Sequence, residues 1–477
     1  MASPNPYKVI FKNTVVLTAA RLFSRILQFF FFIYAARSLG PKYFGIFSFA
    51  YVLVRILEIS MDMGVSRYSV QQVSRDLQKA PQYLGASLTI KIFLIISGYL
   101  LIIGTGYIMN GDALSMKVLF LLAAVAVFDN LALPFGSVFG AHQKMEYSAV
   151  IISVSNLTMC LVGFTFLYYS KDILLFCLAF VIGAFLRLSF NVFWCIKKYG
   201  MPEFNNFNRF SLWDLLKKSI PFSLMNIFVT IYYHVDSVML QVFDGYKVVG
   251  QYNAAYRLID APLFISMSVT TALFPAISRL YYKKENQKLQ KLISESFKKI
   301  LATGLFISIT AAFLADDLIS IIYGEEYAAA ADVLPVLIFG VACIMPGSIC
   351  NTVVRASDRQ SLSAIIAGGG VIFNIVLNLL LIPKYSLLGA AWATLATEMI
   401  MAGIYTVAVK EHIKLLFKLD QIIRILIFPL LLVIFLYVTQ AAGVWFQLIG
   451  AGVSFFPFML ITGLITRKEL TSLLERK

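Results

Sequence analysis

The sequence predicts an all-α, polytopic membrane protein of about fourteen transmembrane helices: two six-helix lobes followed by two further helices. Three observations predict it. Apolar residues make up 60% of the 477 and charged residues only 14%, whereas a soluble domain carries about a quarter charged residues. Apolar runs long enough to cross a bilayer recur from end to end, separated by short polar connectors. Lysine and arginine alternate between rich and poor connectors, as in a multi-pass protein. The formal charge of +15 is therefore no nucleic-acid patch, because the basic residues sit between apolar runs rather than together.

A spanning helix needs about 20 mostly apolar residues. Such runs place spans 1 to 6 at 13–36, 44–64, 83–108, 116–138, 147–169 and 172–195. Spans 7 to 12 follow at 219–243, 249–275, 297–322, 330–353, 360–382 and 386–409, and spans 13 and 14 at 421–440 and 444–466. Span 1 reads as retained rather than as a cleaved signal, since Arg21 and Arg25 interrupt its apolar stretch and no small-residue cleavage site follows. The lobes divide the chain at 1–200, 201–418 and 419–477.

With the N-terminus in the cytoplasm, inside segments hold 28 of the 40 Lys/Arg. Counting residues within about four positions of a span end with the adjoining loop, outside loops hold six (Arg37, Lys42, Lys117, Lys171, Lys247 and Lys384), and six more lie deep within spans. A miscounted span would scramble that bias from the error onward, so both termini are expected in the cytoplasm. The basic stretches Lys197–Lys218 and Arg279–Lys299 are inside, where they meet anionic lipid. The acidic stretch Asp316–Asp332 is outside.

The halves repeat. Gly45-Ile-Phe-Ser-Phe-Ala-Tyr51 in span 2 recurs as Gly250-Gln-Tyr-Asn-Ala-Ala-Tyr256 in span 8, and Val73-Ser-Arg75 recurs as Ile277-Ser-Arg279. Six spans separate the copies, so the lobes share one orientation and are related by a pseudo-two-fold along the membrane normal. Pro134, Pro221, Pro262, Pro275 and Pro346 predict kinks. Gly368-Gly-Gly370 lacks phosphate-loop spacing and reads as close helix packing. The five cysteines lie in apolar segments without ligand spacing and read as small buried hydrophobes. No Walker A loop and no HExxH occurs, which argues against nucleotide-driven transport within this chain and against an enzyme.

Ionisable residues at membrane depth cost roughly 2.5–3.5 kcal/mol and mark interior cavities or pathways. Arg21, Arg25 and Gln28 share one face of span 1. Arg55, Glu58 and Asp62 share one face of span 2. Lys91, Asp129, Arg187, His234, Asp236, Arg257, Asp260 and Glu398 complete the set. Spans 1–6 thus carry five cations against three anions, and spans 7–12 one cation against three anions. Arg55 with Glu58, and Arg257 with Asp260, read either as neutralising pairs or as pathway groups. Lys91 reads as snorkelling from a helix end. Asp129 and Arg187 have no partner legible in sequence. Arg21 and Arg25, with no acid in span 1, call for acidic partners, water or an anionic ligand. Asp62, Asp236, Asp260 and Glu398 are candidates for binding a coupling H⁺ or Na⁺. No other cofactor is expected.

Five segments stand out: Leu39-Gly-Pro-Lys-Tyr-Phe-Gly-Ile-Phe-Ser48; Ser219-Ile-Pro-Phe222 followed by Asp236; Leu273-Phe-Pro-Ala-Ile-Ser-Arg-Leu280; Ile322-Tyr-Gly-Glu-Glu-Tyr327; and the run from Asn374 through Asn378 and Pro383-Lys-Tyr-Ser386 to Thr394. Together they resemble the polysaccharide transporter, or oligosaccharide flippase, family. They fall in family order over about residues 10–410. Where the family usually has glycine after the tyrosine of the last motif, this chain has Ser386. The superfamily also holds multidrug and toxin extruders and the lipid II flippase. The resemblance implies a flippase of the plasma membrane that moves a lipid-linked oligosaccharide across the bilayer by alternating access, with glycan polymerase or glycosyltransferase partners. The carrier would be a polyprenyl phosphate or diphosphate. By helix and depth, it implies substrate-binding roles for Arg21, Arg25, Arg55 and Arg257, and a lipid-tail groove at spans 13 and 14. The alternatives are a multidrug or toxin extruder, against which fourteen spans and the span 1 arginines count, and a membrane-embedded glycosyltransferase or polymerase, against which the short external loops count.

Overall fold

A computed structural model describes residues 6–109, 111–204, 212–412 and 419–466. Both chain ends, the middle of the stretch Lys197–Lys218 and the connector before span 13 lie outside the described residues. Fourteen α-helices and no strand occur among those described: α1 (Pro6–Leu57), α2 (Val65–Arg75), α3 (Ala80–Ile108), α4 (Ala113–Ala141), α5 (Met145–Tyr169), α6 (Ile173–Tyr199), α7 (Leu212–Asp244), α8 (Tyr246–Tyr282), α9 (Asn286–Phe313), α10 (Ala315–Tyr323), α11 (Ala328–Ala356), α12 (Gln360–Ala408), α13 (Leu419–Val438) and α14 (Val444–Ile461).

These helices map onto the predicted spans with two mergers and two additions. Ten stretches are long and apolar enough to cross a membrane. Two of them, in α1 and α12, are hairpins that hold two spans each, and α7 and α13 stand where spans 7 and 13 were predicted. The α1 hairpin turns at Gly40, whose φ of 73° and ψ of 167° suit glycine. Phe32 and Phe47 then meet with ring centroids 5.9 Å apart, where 15 residues of straight helix would separate them by about 22 Å. In α12, Asn374 reaches Thr397 at 3.4 Å across the turn at Ser386.

Ser386 has φ 50° and ψ −128°, a conformation that glycine adopts freely and a residue with a Cβ does not. The one departure from the family motif therefore falls on a strained turn. Ser386→Gly is expected to stabilise the protein by about 1 kcal/mol, read as a higher melting temperature in detergent. An unchanged or lower melting temperature would show that the serine side chain offsets the strain.

α2 and α10 are too short to span. Gly64, at φ 82°, ends span 2, and α2 then buries Val65, Ser69 and Val73 on one face. The repeat therefore differs between its copies: the first Ser-Arg closes a separate α2, while Ser278-Arg279 lies within continuous α8. Span 9 was expected to run to 322, but α9 stops at Phe313 and α10 follows as a separate helix of nine residues. Its acidic first turn, Asp316 and Asp317, suits a helix N-terminus.

The chain forms two compact units, Met1–Gly250 and Gln251–Lys477. In the first, aromatic rings bind α1 to α6: Phe47 meets Phe176 at 4.8 Å and Phe180 at 5.2 Å. α7 packs here as well, through Leu215, which joins Val65, Val73, Tyr83 and Leu84 in one buried cluster. The two repeat glycines meet face to face. A Cβ on Gly45 would overlap the Tyr246 carbonyl, and one on Gly250 would overlap the Pro41 carbonyl. Each glycine thus admits the backbone four residues before the other, the reciprocity expected of repeat copies in contact. In the second unit, Ser308 donates to the Ile338 carbonyl at 2.6 Å, tying α9 to α11. α13 and α14 pack on α9 through Ala302, Phe306, Phe428, Phe455 and Met459.

Candidate functional site

Among the described residues, the membrane-level ionisable residues of spans 1–6 form three ion pairs and leave two arginines over. Lys91 does not snorkel. It is the twelfth residue of α3, about 17 Å along the helix, and is completely buried. Its ammonium lies 2.7 Å from Asp62 and donates to the carbonyl and side-chain oxygens of Asn130 at 3.0 and 3.2 Å. Asp62 also accepts from the Ser66 hydroxyl at 2.6 Å. Arg187 pairs with Asp129 at 2.7 Å and donates to Asn156 at 3.1 Å. Arg55 pairs with Glu58 at 2.6 Å and sits 6.0 Å from the Tyr51 ring centre. Glu58 lies within electrostatic reach of Asp129, Lys91 and Arg187, so the pairs form one network.

Three cations of spans 1–6 are thereby matched by the three anions. The surplus of two is Arg21 and Arg25, both exposed on α1, one turn apart, around buried Ser24. Among the described residues no carboxylate lies within 4 Å of either. Asp236, the other acid at membrane depth in this unit, is buried.

In the second unit, Arg257 is half-buried and Asp260 exposed, both within electrostatic reach of the buried Tyr323 ring. Glu398 is buried in α12. Three further polar residues lie in the same helix, Asn374 and Asn378 from the family motif and Thr397 just beyond it. Asn378 donates to Asn374 at 2.9 Å, Asn374 to Thr397 at 3.4 Å, and all three are buried. An Asn-x-x-x-Asn step within an apolar run was the available signal, since two carboxamides on one helical face need mutual or cross-helix partners. The structure divides the glycine triplet: Gly370 packs against Met401, while Gly368 and Gly369 face open space. Close packing was expected of the whole run and holds for Gly370 alone. Cys160, Cys177, Cys195 and Cys350 are buried, and Cys343 is partly exposed.

The family model described as polysaccharide biosynthesis protein matches residues 10–281, and that of MatE matches residues 221–380. Similar proteins include the probable low-salt glycan biosynthesis flippase Agl15 of Haloferax volcanii, 23% identical over 86% of each chain. The capsular polysaccharide biosynthesis protein CapF of Staphylococcus aureus is 22% identical over 80% of this chain and 94% of its own length. Among solved structures, the lipid II flippase MurJ in its inward closed conformation superposes with a TM-score of 0.78 over 96% of this chain and all of its own, at 19% identity. A multidrug resistance MATE family transporter in its inward-facing conformation gives 0.68 over 82% of this chain and 95% of its own, at 14% identity.

Proposed function

This chain belongs to the polysaccharide biosynthesis protein family, and from that premise we propose that it is a flippase for a lipid-linked oligosaccharide rather than an enzyme. The observation that carries the reading is the pair of arginines left over when every other membrane-level cation of spans 1–6 has found an acid. A polyprenyl diphosphate is a compact anion, and guanidinium grips phosphate oxygens through two parallel hydrogen bonds. Arg21 and Arg25 offer that grip. Arg257, in the second unit, is a further candidate for gripping phosphate, and Arg55, already engaged by Glu58, contributes less. The exposed apolar side chains of α13 and α14, among them Leu426, Leu430, Phe446 and Ile449, suit a polyprenyl tail that stays in lipid.

Reconstitution tests the reading. Liposomes carrying the protein and a polyprenyl-diphosphate disaccharide are treated with an impermeant glycosidase that trims the outer leaflet. The cleavable fraction should rise from about half toward completion, faster than in empty liposomes; equal rates would end the proposal. The MatE match over 221–380 favours a second reading, drug extrusion, under which cells expressing the chain gain resistance to cationic dyes and the glycolipid stays where it was.

The chain is a multi-pass membrane protein; the lysine and arginine bias supports both termini in the cytoplasm, and the family resemblance supports the plasma membrane. A cysteine at position 288 should then react with an impermeant external reagent only after the membrane is opened, and one at position 326 should react in intact cells. Labelling of position 288 in intact cells would overturn the orientation. Coupling to H⁺ or Na⁺ falls to Asp62, Asp236, Asp260 or Glu398, of which Asp236 and Glu398 are buried and Asp62 holds Lys91. Neutralising a coupling residue should make transport independent of the ion gradient while the protein still folds. A glycan polymerase or glycosyltransferase would act on the flipped product.

A further inference from the structure

In the first unit, the end of span 2 and the middle of α4 bring three oxygens together around Lys91. A proline frees one of them. An α-helical carbonyl accepts from the N–H four residues on. Four residues after Asn130 stands Pro134, inside α4, which has no N–H to give. The Asn130 carbonyl is thus left for another donor. The Asn130 carboxamide is oriented by bonds of its own, its nitrogen donating to the Ala126 carbonyl at 3.0 Å and to the Met61 sulfur at 3.8 Å. The Asp62 carboxylate is fixed likewise, by the Ser66 N–H at 3.3 Å and the Ser66 hydroxyl at 2.6 Å. Lys91 reaches all three oxygens, Asp62 Oδ1 at 2.7 Å, the Asn130 carbonyl at 3.0 Å and Asn130 Oδ1 at 3.2 Å. An ammonium has three N–H donors, one for each oxygen.

We propose that Asp62 and Asn130 form a monovalent-cation site whose resident ion is tethered: the Lys91 ammonium fills a place that a free ammonium or potassium ion can take once the lysine stem is removed. The three oxygens are held by Ser66, Ala126 and the proline kink rather than by Lys91, so the cage outlasts the loss of its occupant. Carbonyl oxygens can replace the hydration shell of a potassium ion, and the single carboxylate balances a single charge. Water entering the space left by the stem would complete the shell, since it would meet polar partners there. Lys91 and Asn130 are buried while the Asp62 side chain keeps 23% exposure, so an arriving ion meets the carboxylate first. A tethered cation does not exchange with either side of the membrane. The wild-type chain therefore keeps this site filled whatever ions surround it. The inference concerns the first unit alone and stands whether or not the chain moves a glycolipid.

Chemical rescue of the full-length protein in a neutral detergent tests it. Melting temperatures of wild type, Lys91→Ala and the double variant Lys91→Ala with Asp62→Asn are followed as ammonium or potassium chloride replaces choline chloride at constant ionic strength. Lys91→Ala should melt below wild type in choline, because its carboxylate has lost its partner. Its melting temperature should then climb saturably with ammonium or potassium, by more than any rise in wild type, and recover at least half of the deficit. The double variant has no stranded carboxylate and should show no such extra rise. Adding Pro134→Ala to Lys91→Ala returns an N–H to the Asn130 carbonyl and should raise the half-saturating concentration at least tenfold. A response of Lys91→Ala no larger than that of wild type, an equal response in the double variant, or an unshifted one with Pro134→Ala overturns the proposal. Lys91→Ala protein that stays unfolded at saturating ammonium overturns it as well.

Discussion

Asp62→Asn should destabilise the protein by about 3–5 kcal/mol, because it strands a fully buried ammonium. Lys91 has no exposure, whereas the Asp62 side chain keeps 23%. Lys91→Met should therefore cost less, as the remaining carboxylate is only partly enclosed and keeps the Ser66 hydroxyl. The double variant, Asp62→Asn with Lys91→Met, should regain much of the loss, since removing both partners of a buried pair is often close to neutral. Melting temperatures and detergent-extracted yields of the four proteins form a double-mutant cycle. Additive losses would mean that the pair carries no coupling energy and that Lys91 is content with Asn130. The result also bears on transport. A coupling residue can be neutralised without unfolding the protein, so a large loss in Asp62→Asn removes Asp62 from the coupling candidates and leaves Asp236, Asp260 and Glu398.

The spans were legible because the bilayer imposes a length and a composition that a single sequence displays. The turns were legible in part. Gly40 and Gly324 stand in family motifs and take positive φ, and Ser386 was flagged because glycine was missing. Gly64 gave no such warning, so the break between span 2 and α2 went unread, although Val65, Ser69 and Val73 already showed helical spacing. Pairing across helices was the illegible part. Asp129 and Arg187 lie 58 positions apart, and whether they meet depends on how α4 and α6 rotate about their axes, which composition leaves open. Lys91 was misjudged for a related reason: the actual start of α3 at Ala80 sets it three turns deep, too far for its stem to reach the interface. The charge count survived these errors, because a surplus of two cations in spans 1–6 does not depend on who pairs with whom.

That surplus leads to the largest functional effect expected. Arg21→Lys and Arg25→Lys keep the charge but lose the planar, two-pronged donor geometry. If each guanidinium grips a phosphate, losing one charged hydrogen-bond pair should cost about 1.5–3 kcal/mol, roughly tenfold to more than a hundredfold in affinity. The measurement compares binding of a polyprenyl-diphosphate sugar with that of the uncharged polyprenol sugar, in wild type and in Arg→Lys and Arg→Ala variants at 21, 25, 55 and 257. Preference for the diphosphate should collapse at 21 or 25 while the melting temperature holds, since no ion pair within the described residues depends on either side chain. Arg55 provides the internal contrast. Its guanidinium serves Glu58 at 2.6 Å, and at 45% side-chain exposure a lysine can satisfy the same carboxylate, so Arg55→Lys should leave binding within a few-fold of wild type. A diphosphate preference that persists through every variant at 21 and 25 would return those arginines to a structural role and leave the anion site to be sought in the second unit.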